Sequence, residues 1–368
     1  MSAKNGIKIG VVGVCGGYGR GGHLIDSLRQ TPPFQVHAVC DIDPDQVSRA
    51  KTEYDIDQGY VDYEEMLEKA GLDAVLLATP MHLHVEQSVA ALKRDIHVLC
   101  EVTAAVTVPE CEELVAACKA SSAIYMMAEN YIYNEVAVAV AEMSRRGEFG
   151  TLYYAEAGYI IDAKELAETT SWRRKWQVGI SGITYGAHNL GPILEWMPGE
   201  RITSLCCSGS GHHYTDPRGE AYADDSSVML CRTSSGGQIV MRSDFISNGP
   251  GVGVYNLLQG TKGAYASRRF RGDPHRVWLQ SRSEKPTWSD IDEYKDDFLP
   301  DWMKKAKAEG RANTDCLQAR AFADAVLGNA PNPVDVHRAL DMTLPGLISQ
   351  LSIQEGGRWM AVPDSREW

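Results

Sequence analysis

The chain has no apolar run of the about 18 residues that a membrane-spanning helix needs, and it has no excess of positive charge. Its 49 acidic residues outnumber its 36 lysines and arginines, which gives a formal net charge of −13. Nucleic acids and anionic membranes bind basic surfaces, so neither is an expected partner. Residues 1–5 lead directly into an apolar segment without the features of a secretory signal, so we expect a cytoplasmic protein.

Cysteine motifs are also missing. None of the nine cysteines belongs to a C-x-x-C pair, and Cys206 and Cys207 are adjacent in sequence. This pattern favours reduced thiols over a disulfide framework. His212 and His213 lie in a glycine-rich loop with no third ligand at metal spacing, so we expect no bound metal.

The first forty residues combine the features of a dinucleotide-binding unit. An apolar run over residues 6–12 leads into a glycine-rich turn and a helical pattern, and a second apolar run over residues 34–40 ends at Asp41. Glycines let the backbone approach a pyrophosphate, whose charge the N–H groups at the helix start stabilise. The candidate glycines are Gly13, Gly16, Gly17 and Gly19.

The register of this turn stays open, because Cys15 stands where the strict G-x-G-x-x-G pattern has its second glycine. A flexible surface loop is the alternative interpretation. Asp41 indicates which dinucleotide binds, since a carboxylate at this position accepts hydrogen bonds from the ribose hydroxyls and repels a 2′-phosphate. The sequence therefore predicts NAD rather than NADP.

The length of 368 residues is sufficient for two domains. Up to residue 130, short apolar runs alternate with amphipathic stretches, which is typical of a parallel sheet with helices on both faces. From about residue 151, strand-length runs with turn-rich joints indicate an open, mostly antiparallel sheet. We therefore predict an α/β fold with an N-terminal doubly wound Rossmann domain over residues 1–130 and a C-terminal α+β domain over residues 131–368.

Two features of the C-terminal half complete this prediction. Residues 282–312 are charged and aromatic, and we expect them to form a surface excursion. Helical patterns return at residues 313–327 and 335–355, and the first of these could pack back on the N-terminal domain.

The order of motifs along the chain resembles the glucose–fructose oxidoreductase/inositol dehydrogenase (Gfo/Idh/MocA) family. After the glycine turn and Asp41 come Ala78-Thr79-Pro80-Met81-His82-Leu83-His84, then His97-Val98-Leu99-Cys100-Glu101, then Gly182-Ile183-Thr184-Tyr185-Gly186-Ala187-His188. The resemblance implies a nucleotide-binding half and a β-sheet half that supplies the sugar site and often the oligomer interface. The open sheet predicted for the second domain favours back-to-back pairing, so we expect a homodimer or homotetramer.

The departures from this family are informative. Where the family reads Glu-Lys-Pro, this chain reads Glu101-Val102-Thr103, and valine cannot donate, accept or shuttle a proton. Two family aspartates near the histidine are replaced by Thr184 and Gly191. The loss of these residues argues against the reaction of a conventional dehydrogenase of the family.

The altered set resembles a branch of the same fold, the NAD-dependent glycosidases of the α-N-acetylgalactosaminidase type. The matching positions are Tyr185, His188, Asn189-Leu190-Gly191-Pro192, Met126-Met127-Ala128-Glu129-Asn130 and Tyr159. This likeness implies redox-assisted cleavage by tightly held, recycled NAD: a sugar carbinol is oxidised, the aglycone leaves by elimination, water adds, and the alcohol is restored. The implied catalytic residues are His188, Tyr185, Glu129 and Tyr159.

Further residues are assigned to binding, each with a structural alternative. The expected cofactor contacts after the later strands are Thr79, Pro80, His82, His84 and Glu101, where the histidines could instead cap the following helix. The expected substrate contacts are Trp172, Arg173, Arg174 and His213. A cationic cluster between tryptophans suits a sugar face with an anionic substituent, and it equally suits a solvated loop.

Three functions remain open on the sequence. The first is a redox-assisted glycosidase acting on a small carbohydrate or glycoside, with an anionic sugar as one option. The second is a net NAD-dependent sugar dehydrogenase in which Tyr185 and His188 replace the missing lysine. The third is a dinucleotide-binding protein that has lost catalysis, since Val102 removes a residue on which many relatives depend.

Overall fold

A computed structural model describes residues 6–14, 20–270 and 272–368 of the chain. It divides into two compact units. The first contains residues 1–130, 309–340 and 365–368, and the second contains residues 131–308 and 341–364. The first unit therefore includes the segment around residues 313–327 as well as the N-terminal part of the chain.

The strands, in chain order, are β1 (Ile7–Val12), β2 (Phe34–Cys40), β3 (Gln58–Tyr60), β4 (Ala74–Leu77), β5 (His97–Cys100), β6 (Tyr125–Met127), β7 (Leu152–Ile160), β8 (Ile202–Gly209), β9 (Ser227–Thr233), β10 (Gln238–Asp244), β11 (Gly253–Gly260), β12 (Gly263–Ala266), β13 (Arg276–Leu279), β14 (Ser289–Asp290) and β15 (Met360–Ala361). The helices are α1 (Arg20–Arg29), α2 (Pro44–Tyr54), α3 (Tyr63–Lys69), α4 (His84–Leu92), α5 (Val108–Ala120), α6 (Glu135–Arg145), α7 (Lys164–Thr169), α8 (Ser171–Trp176), α9 (Ala187–Trp196), α10 (Lys295–Phe298), α11 (Asp301–Ala308), α12 (Thr314–Val326) and α13 (Val336–Gln354).

The sheet of the first unit is parallel, with strand order β3-β2-β1-β4-β5-β6. The central strand β4 is apolar and completely buried, and β1 is buried at every position except Lys8, as expected where helices cover both faces. The strand order reverses between β1 and β4, and ligands of doubly wound folds bind outside the carboxyl ends of the strands at such a point. The predicted Rossmann fold is confirmed.

The sheet of the second unit has nine strands in the order β14-β13-β12-β11-β7-β10-β9-β8-β15. Its pairs are antiparallel except for β7 with β10, which is parallel. Inward and outward residues alternate along β9 and β10, with Met229, Cys231, Ile239 and Met241 completely buried. This agrees with the predicted open, mostly antiparallel sheet.

Three stretches differ from the sequence-based expectations. Residues 282–312 contain α10 and α11 and bury Phe298 and Met303, so the segment is partly core rather than a surface excursion. Strand β8 was not predicted, because serine, cysteine and glycine give a weak strand signal. Helix α9 contains Gly191 and Pro192, which usually argue against a helix interior.

Among the described residues, no helix has both the length and the apolar character required to cross a bilayer. The eight cysteines within that part of the chain are all free thiols.

Candidate active site

Predicted site residues of the first unit follow the carboxyl ends of its parallel strands. Gly13 comes shortly after β1, Asp41 directly follows β2, and Thr79 lies just beyond β4. Glu101 directly follows β5, and Glu129, which is completely buried, comes soon after β6. Because these strands are parallel, the five residues share one edge of the sheet, where this class of fold binds its ligands.

Two glycines allow the backbone of the loop after β1 to pack closely against its neighbours. Gly13 has a φ of +86°, and a Cβ atom there would lie 2.7 Å from the carbonyl oxygen of Ala78. Gly21 in α1 was not predicted, yet a Cβ atom there would lie 2.2 Å from the carbonyl oxygen of Gly13. Both positions therefore require glycine. Gly16, Gly17 and Gly19 lie outside the described residues.

Asp41 and its neighbour present a polar and an apolar surface side by side. Asp41 is 8% exposed, and its Oδ1 accepts a hydrogen bond from the backbone N–H of Asp43 at 3.1 Å. Ile42, which follows it, is 92% exposed. A carboxylate beside an exposed aliphatic side chain suits a ribose next to a purine, and the sequence analysis did not identify Ile42.

His84 connects the two loops that follow β4 and β5. Its Nδ1 lies 2.7 Å from the carbonyl oxygen of Thr103, and its Nε2 lies 2.9 Å from that of Thr79. Burial lowers the pKa of His84, although the two carbonyls act in the opposite direction. These contacts give His84 a structural role in shaping both loops, while His82 in the same segment is half-buried. Pro80 precedes the short helical turn that contains His82.

An ion-pair network surrounds Glu101. Arg20 at the start of α1 lies 3.0 Å from Glu101, and its guanidinium donates to both carboxylate oxygens of Asp315 at 2.8 and 3.1 Å. Asn130 donates a further hydrogen bond to Asp315 at 3.2 Å. Burial opposes the charge of Arg20, but Glu101 and Asp315 outweigh it and raise the pKa of the guanidinium. Arg20 and Asp315 were not predicted as site residues.

These features fit NAD. The glycine positions provide the backbone approach, Asp41 can accept from the adenosine ribose, and Ile42 can contact the adenine. Glu101 stands at the carboxyl end of the strand adjoining β4, which places it for the nicotinamide half of the cofactor.

In the second unit, a cluster of rings surrounds His188. The ring centroids of Tyr131, Tyr185 and Tyr159 lie 4.3, 5.5 and 6.1 Å from that of His188. Phe245 packs edge-on against Tyr159 at 5.1 Å and Tyr185 at 6.2 Å. The structure thus brings three predicted catalytic residues together. Tyr131 and Phe245 were missed, although Tyr131 directly follows the Glu129-Asn130 motif.

The His188 segment is held by specific contacts on both sides. The N–H of Ile183 donates to Ser349 Oγ at 2.8 Å, and Gly182, with a φ of +103°, leaves no room for a side chain against Ser349. At the other end of α9, Trp196 is buried and its indole donates to the carbonyl of Ala137 at 2.9 Å. His188 therefore projects from the first turn of an anchored helix.

The two predicted arginines have different surroundings. Arg174 donates to the buried carboxylate of Asp216 at 3.1 Å and lies 4.8 Å from the Tyr222 ring. Burial disfavours the charge of Asp216, yet backbone N–H groups and Arg174 hold its pKa at about 2. Arg174 thus has a structural role in securing a loop.

Arg173 lies over the ring of Trp172 at 4.4 Å and donates to Gln177 at 2.9 Å. Its Nε is buried without a hydrogen-bond partner among the described residues. Of the two arginines, Arg173 is therefore the better candidate for a substrate contact.

His213 pairs with an acidic residue that the sequence analysis did not identify. Its ring Nδ1 lies 2.5 Å from Asp225 Oδ2, and its backbone N–H donates to the same oxygen at 2.6 Å. The imidazole is 71% exposed, whereas the Asp225 side chain is 8% exposed. A buried carboxylate thus orients an accessible histidine.

Two consecutive parts of the chain match different models of known protein families. Residues 7–129 match a family model described as "Oxidoreductase family, NAD-binding Rossmann fold", the Gfo/Idh/MocA family. Residues 133–367 match "Glycosyl hydrolase 109, C-terminal domain". These matches confirm the predicted family resemblance and NAD as the cofactor.

Full-length relatives agree with this division. A glycosyl hydrolase family 109 protein of Solibacter usitatus is 29% identical over 97% of this chain and 88% of its own length. A second protein of the same family, from Saccharopolyspora erythraea, is 26% identical over 99% of this chain and 84% of its own length.

Solved structures with lower identity share the fold. An NAD-binding oxidoreductase of Klebsiella pneumoniae has a TM-score of 0.80 at 20% identity and covers 97% of this chain and 99% of its own. The WlbA dehydrogenase of Bordetella pertussis, solved with NADH and UDP-GlcNAcA, has a TM-score of 0.76 at 18% identity and covers 98% and 99%. With an NAD-binding Rossmann domain of the Gfo/Idh/MocA type and a second domain that matches over residues 133–367, the chain belongs to glycosyl hydrolase family 109.

Proposed function

We propose that this protein is an NAD-dependent glycosidase that cleaves its substrate by oxidation, elimination, water addition and re-reduction. The observation that carries the proposal is the packing of Tyr159 and Tyr185 around His188, within a domain that matches family 109. In this proposal, a phenol and the imidazole of the ring cluster contact one sugar hydroxyl. Membership in a glycoside hydrolase family favours bond cleavage over net oxidation.

The cofactor contacts in this proposal come from the first unit, where Gly13, Gly21, Asp41, Ile42 and Glu101 hold the dinucleotide. When bound, NAD supplies the acceptor for the hydride of a sugar carbinol and afterwards returns it. The side chains of the protein supply binding, orientation and proton transfer. None of them needs to act as a nucleophile toward the sugar.

Proton transfer is assigned to the ring cluster and to Glu129. Tyr185 and His188 take the hydroxyl proton as the carbinol is oxidised. The resulting ketone acidifies the neighbouring C–H group, so a base of moderate strength can remove that proton while the aglycone leaves. Glu129 serves as this base or holds the sugar, and Tyr159 orients the substrate against His188.

Val102 supports this division of roles. It is 4% exposed and follows Glu101 at the end of β5, where a lysine would offer a proton-transfer group. Valine leaves this task to residues of the second unit. Trp172, Arg173 and His213 are the proposed contacts to the remainder of the substrate.

A panel of chromogenic α- and β-glycosides, including acidic sugars, tests the proposal with and without added NAD⁺. We expect aglycone release from at least one glycoside with no net accumulation of NADH absorbance. Stoichiometric NADH with a free ketosugar would instead identify a net dehydrogenase, the alternative favoured by the fold shared with dehydrogenases. If the protein neither cleaves a glycoside nor oxidises a sugar, both functions are contradicted.

A further inference from the structure

A small polar cavity in the second unit has no role in the proposed reaction. Its volume is about 20 Å³, which is sufficient for one water molecule or one ion of similar size. Val178 and Phe245 form part of its apolar wall, and the polar wall comes from Gln177, Asp224, Asp225, Ser227 and Ser243.

The sheet register places this cavity beside the ring cluster. Ser243 in β10 pairs with Ser227 in β9 and with Tyr159 in β7. Paired residues of neighbouring strands project from the same face of a sheet at a spacing of about 5 Å. The two serines and Tyr159 therefore form a row, and the cavity adjoins the residue proposed to orient the substrate.

Two buried polar atoms in the wall of this cavity lack a partner within the described part of the chain. His213 occupies Asp225 Oδ2 with two hydrogen bonds, whereas Asp225 Oδ1 has none. Ser243 Oγ is also without one, in a residue that is 5% exposed. A buried carboxylate oxygen left without a partner is costly. A group bound in the cavity would provide these atoms with a partner.

The charge around the cavity indicates the sign of that group. Asp224 and Asp225 both contribute carboxylates, and across the described ranges no lysine or arginine forms an ion pair with either. The neighbouring arginines have other partners, since Arg174 pairs with Asp216 and Arg242 with Asp244. The only basic side chain of the described residues that pairs with either carboxylate is His213, which occupies Asp225 Oδ2. An anion would therefore meet an excess of negative charge here, whereas a cation would relieve it.

We propose that this cavity binds a monovalent cation of about the size of ammonium, ligated by Asp225 Oδ1 and Ser243 Oγ. The cation is either a free ion such as potassium or the primary ammonium group of an amino sugar. As a free-ion site it goes beyond the proposed function and does not depend on it, because a free ion would bind whether or not the protein cleaves glycosides. Recognition of an amino sugar, in contrast, rests on the proposed function.

Thermal unfolding of the full-length protein tests the site at constant ionic strength. The reference salt is tetramethylammonium chloride, whose cation is too large for the cavity. In the test series, potassium chloride or ammonium chloride replaces it in increasing amounts. We expect a saturable rise of about 2 °C in the unfolding midpoint. A parallel series compares glucosamine hydrochloride with glucose in tetramethylammonium chloride. A rise with glucosamine alone assigns the site to a substrate ammonium group, and a rise with the simple salts assigns it to a free ion.

Two variants connect the effect to the cavity. Asp225→Asn keeps the shape but removes the charge, and Ser243→Ala removes the second ligand without changing the charge, so both should lose the rise. Asp244→Asn is the control, since this buried acid on the same strand pairs with Arg242 and should lower the midpoint equally in every salt. The proposal is overturned if no cation raises the wild-type midpoint, or if both cavity variants keep the rise.

Discussion

Tyr185 and His188 carry the proposed proton transfer, and their ring centroids lie 5.5 Å apart. We expect His188→Ala and Tyr185→Phe each to lower turnover at least about 100-fold, since each removes a general acid–base group. Binding of NAD should be unchanged, because neither residue belongs to the cofactor-binding unit. Steady-state rates with a glycoside that the wild-type protein cleaves, together with NADH fluorescence titrations, provide the measurement.

The matched control for this pair is Tyr214→Phe. Like Tyr185, Tyr214 is partly buried and packs against the apolar cluster that contains Phe245 and Ile246. It should retain most of the activity. Wild-type rates in both Tyr185→Phe and His188→Ala would remove these residues from the site.

Asp41 carries the predicted preference for NAD. Asp41→Ala removes the carboxylate that repels a 2′-phosphate, so the affinity for NADP should improve relative to NAD by about tenfold or more. Dissociation constants for both dinucleotides give this ratio. Asp45→Ala changes an acidic residue in the first turn of α2 and should leave the ratio unaltered. An equal ratio in Asp41→Ala and wild type would assign cofactor selection to other residues.

Among whole elements, α12 contributes to the cofactor half through one residue in its first turn. Asp315→Asn removes the charge that holds Arg20 and, through it, Glu101. We expect NAD binding to weaken about threefold to tenfold, as for the loss of a partly buried, charge-assisted hydrogen bond.

Asp324→Asn on the same helix is the control for this variant, because its exposed pair with Arg320 lies away from Glu101. Calorimetric NAD titrations of both variants distinguish a positioning role from general destabilisation of α12. Equal affinities in the two would show that Asp315 does not position Glu101.

Features that depend on residues close together in the sequence could be predicted, whereas those that depend on contacts between distant residues could not. Gly13 and Asp41 lie within one strand–turn–helix–strand unit, so their spacing in the sequence is sufficient to propose them as cofactor contacts. Arg20 and Asp315 are 295 residues apart, and no local pattern in the sequence indicates their contact. Helix α9 was missed because Gly191 and Pro192 oppose helix formation locally, while the buried Trp196 and its hydrogen bond to Ala137 stabilise it through tertiary packing.

At the scale of the whole molecule, one buried and two half-buried histidines predict how stability depends on pH. Burial lowers the pKa values of His84, His97 and His275 in the folded state. In the unfolded chain they return to about 6.5, so below that pH the unfolded state binds more protons. The free energy of unfolding should therefore fall as the pH decreases from 7.5 to 5.5, before carboxylates begin to titrate.

Urea unfolding of wild type and His84→Gln at both pH values measures this effect. The variant should be less stable at pH 7.5, since it loses contacts to two carbonyls, but it should show a smaller decrease on acidification. An identical decrease in both proteins would exclude His84 as a source of the pH dependence.

The fold as a whole could be predicted because alternating strands and helices, and the order of the motifs, are properties of the linear sequence. The pairing of Asp225 with His213 and the row formed by Tyr159, Ser243 and Ser227 depend on sheet register and loop closure, which no sequence period specifies. Residues of the candidate site could therefore be proposed from the sequence where they belong to a local motif. They could not be proposed where the sheet brings together polar residues that are distant in the sequence.

The most direct test of redox-assisted cleavage is turnover of a glycoside substrate in deuterated water, with mass spectrometry and NMR of the sugar product. Elimination next to a transient ketone predicts one deuterium per turnover on the ring carbon adjacent to the oxidised carbinol, while the carbinol carbon keeps its original hydrogen. Aglycone release that yields a sugar without any carbon-bound deuterium would contradict the mechanism.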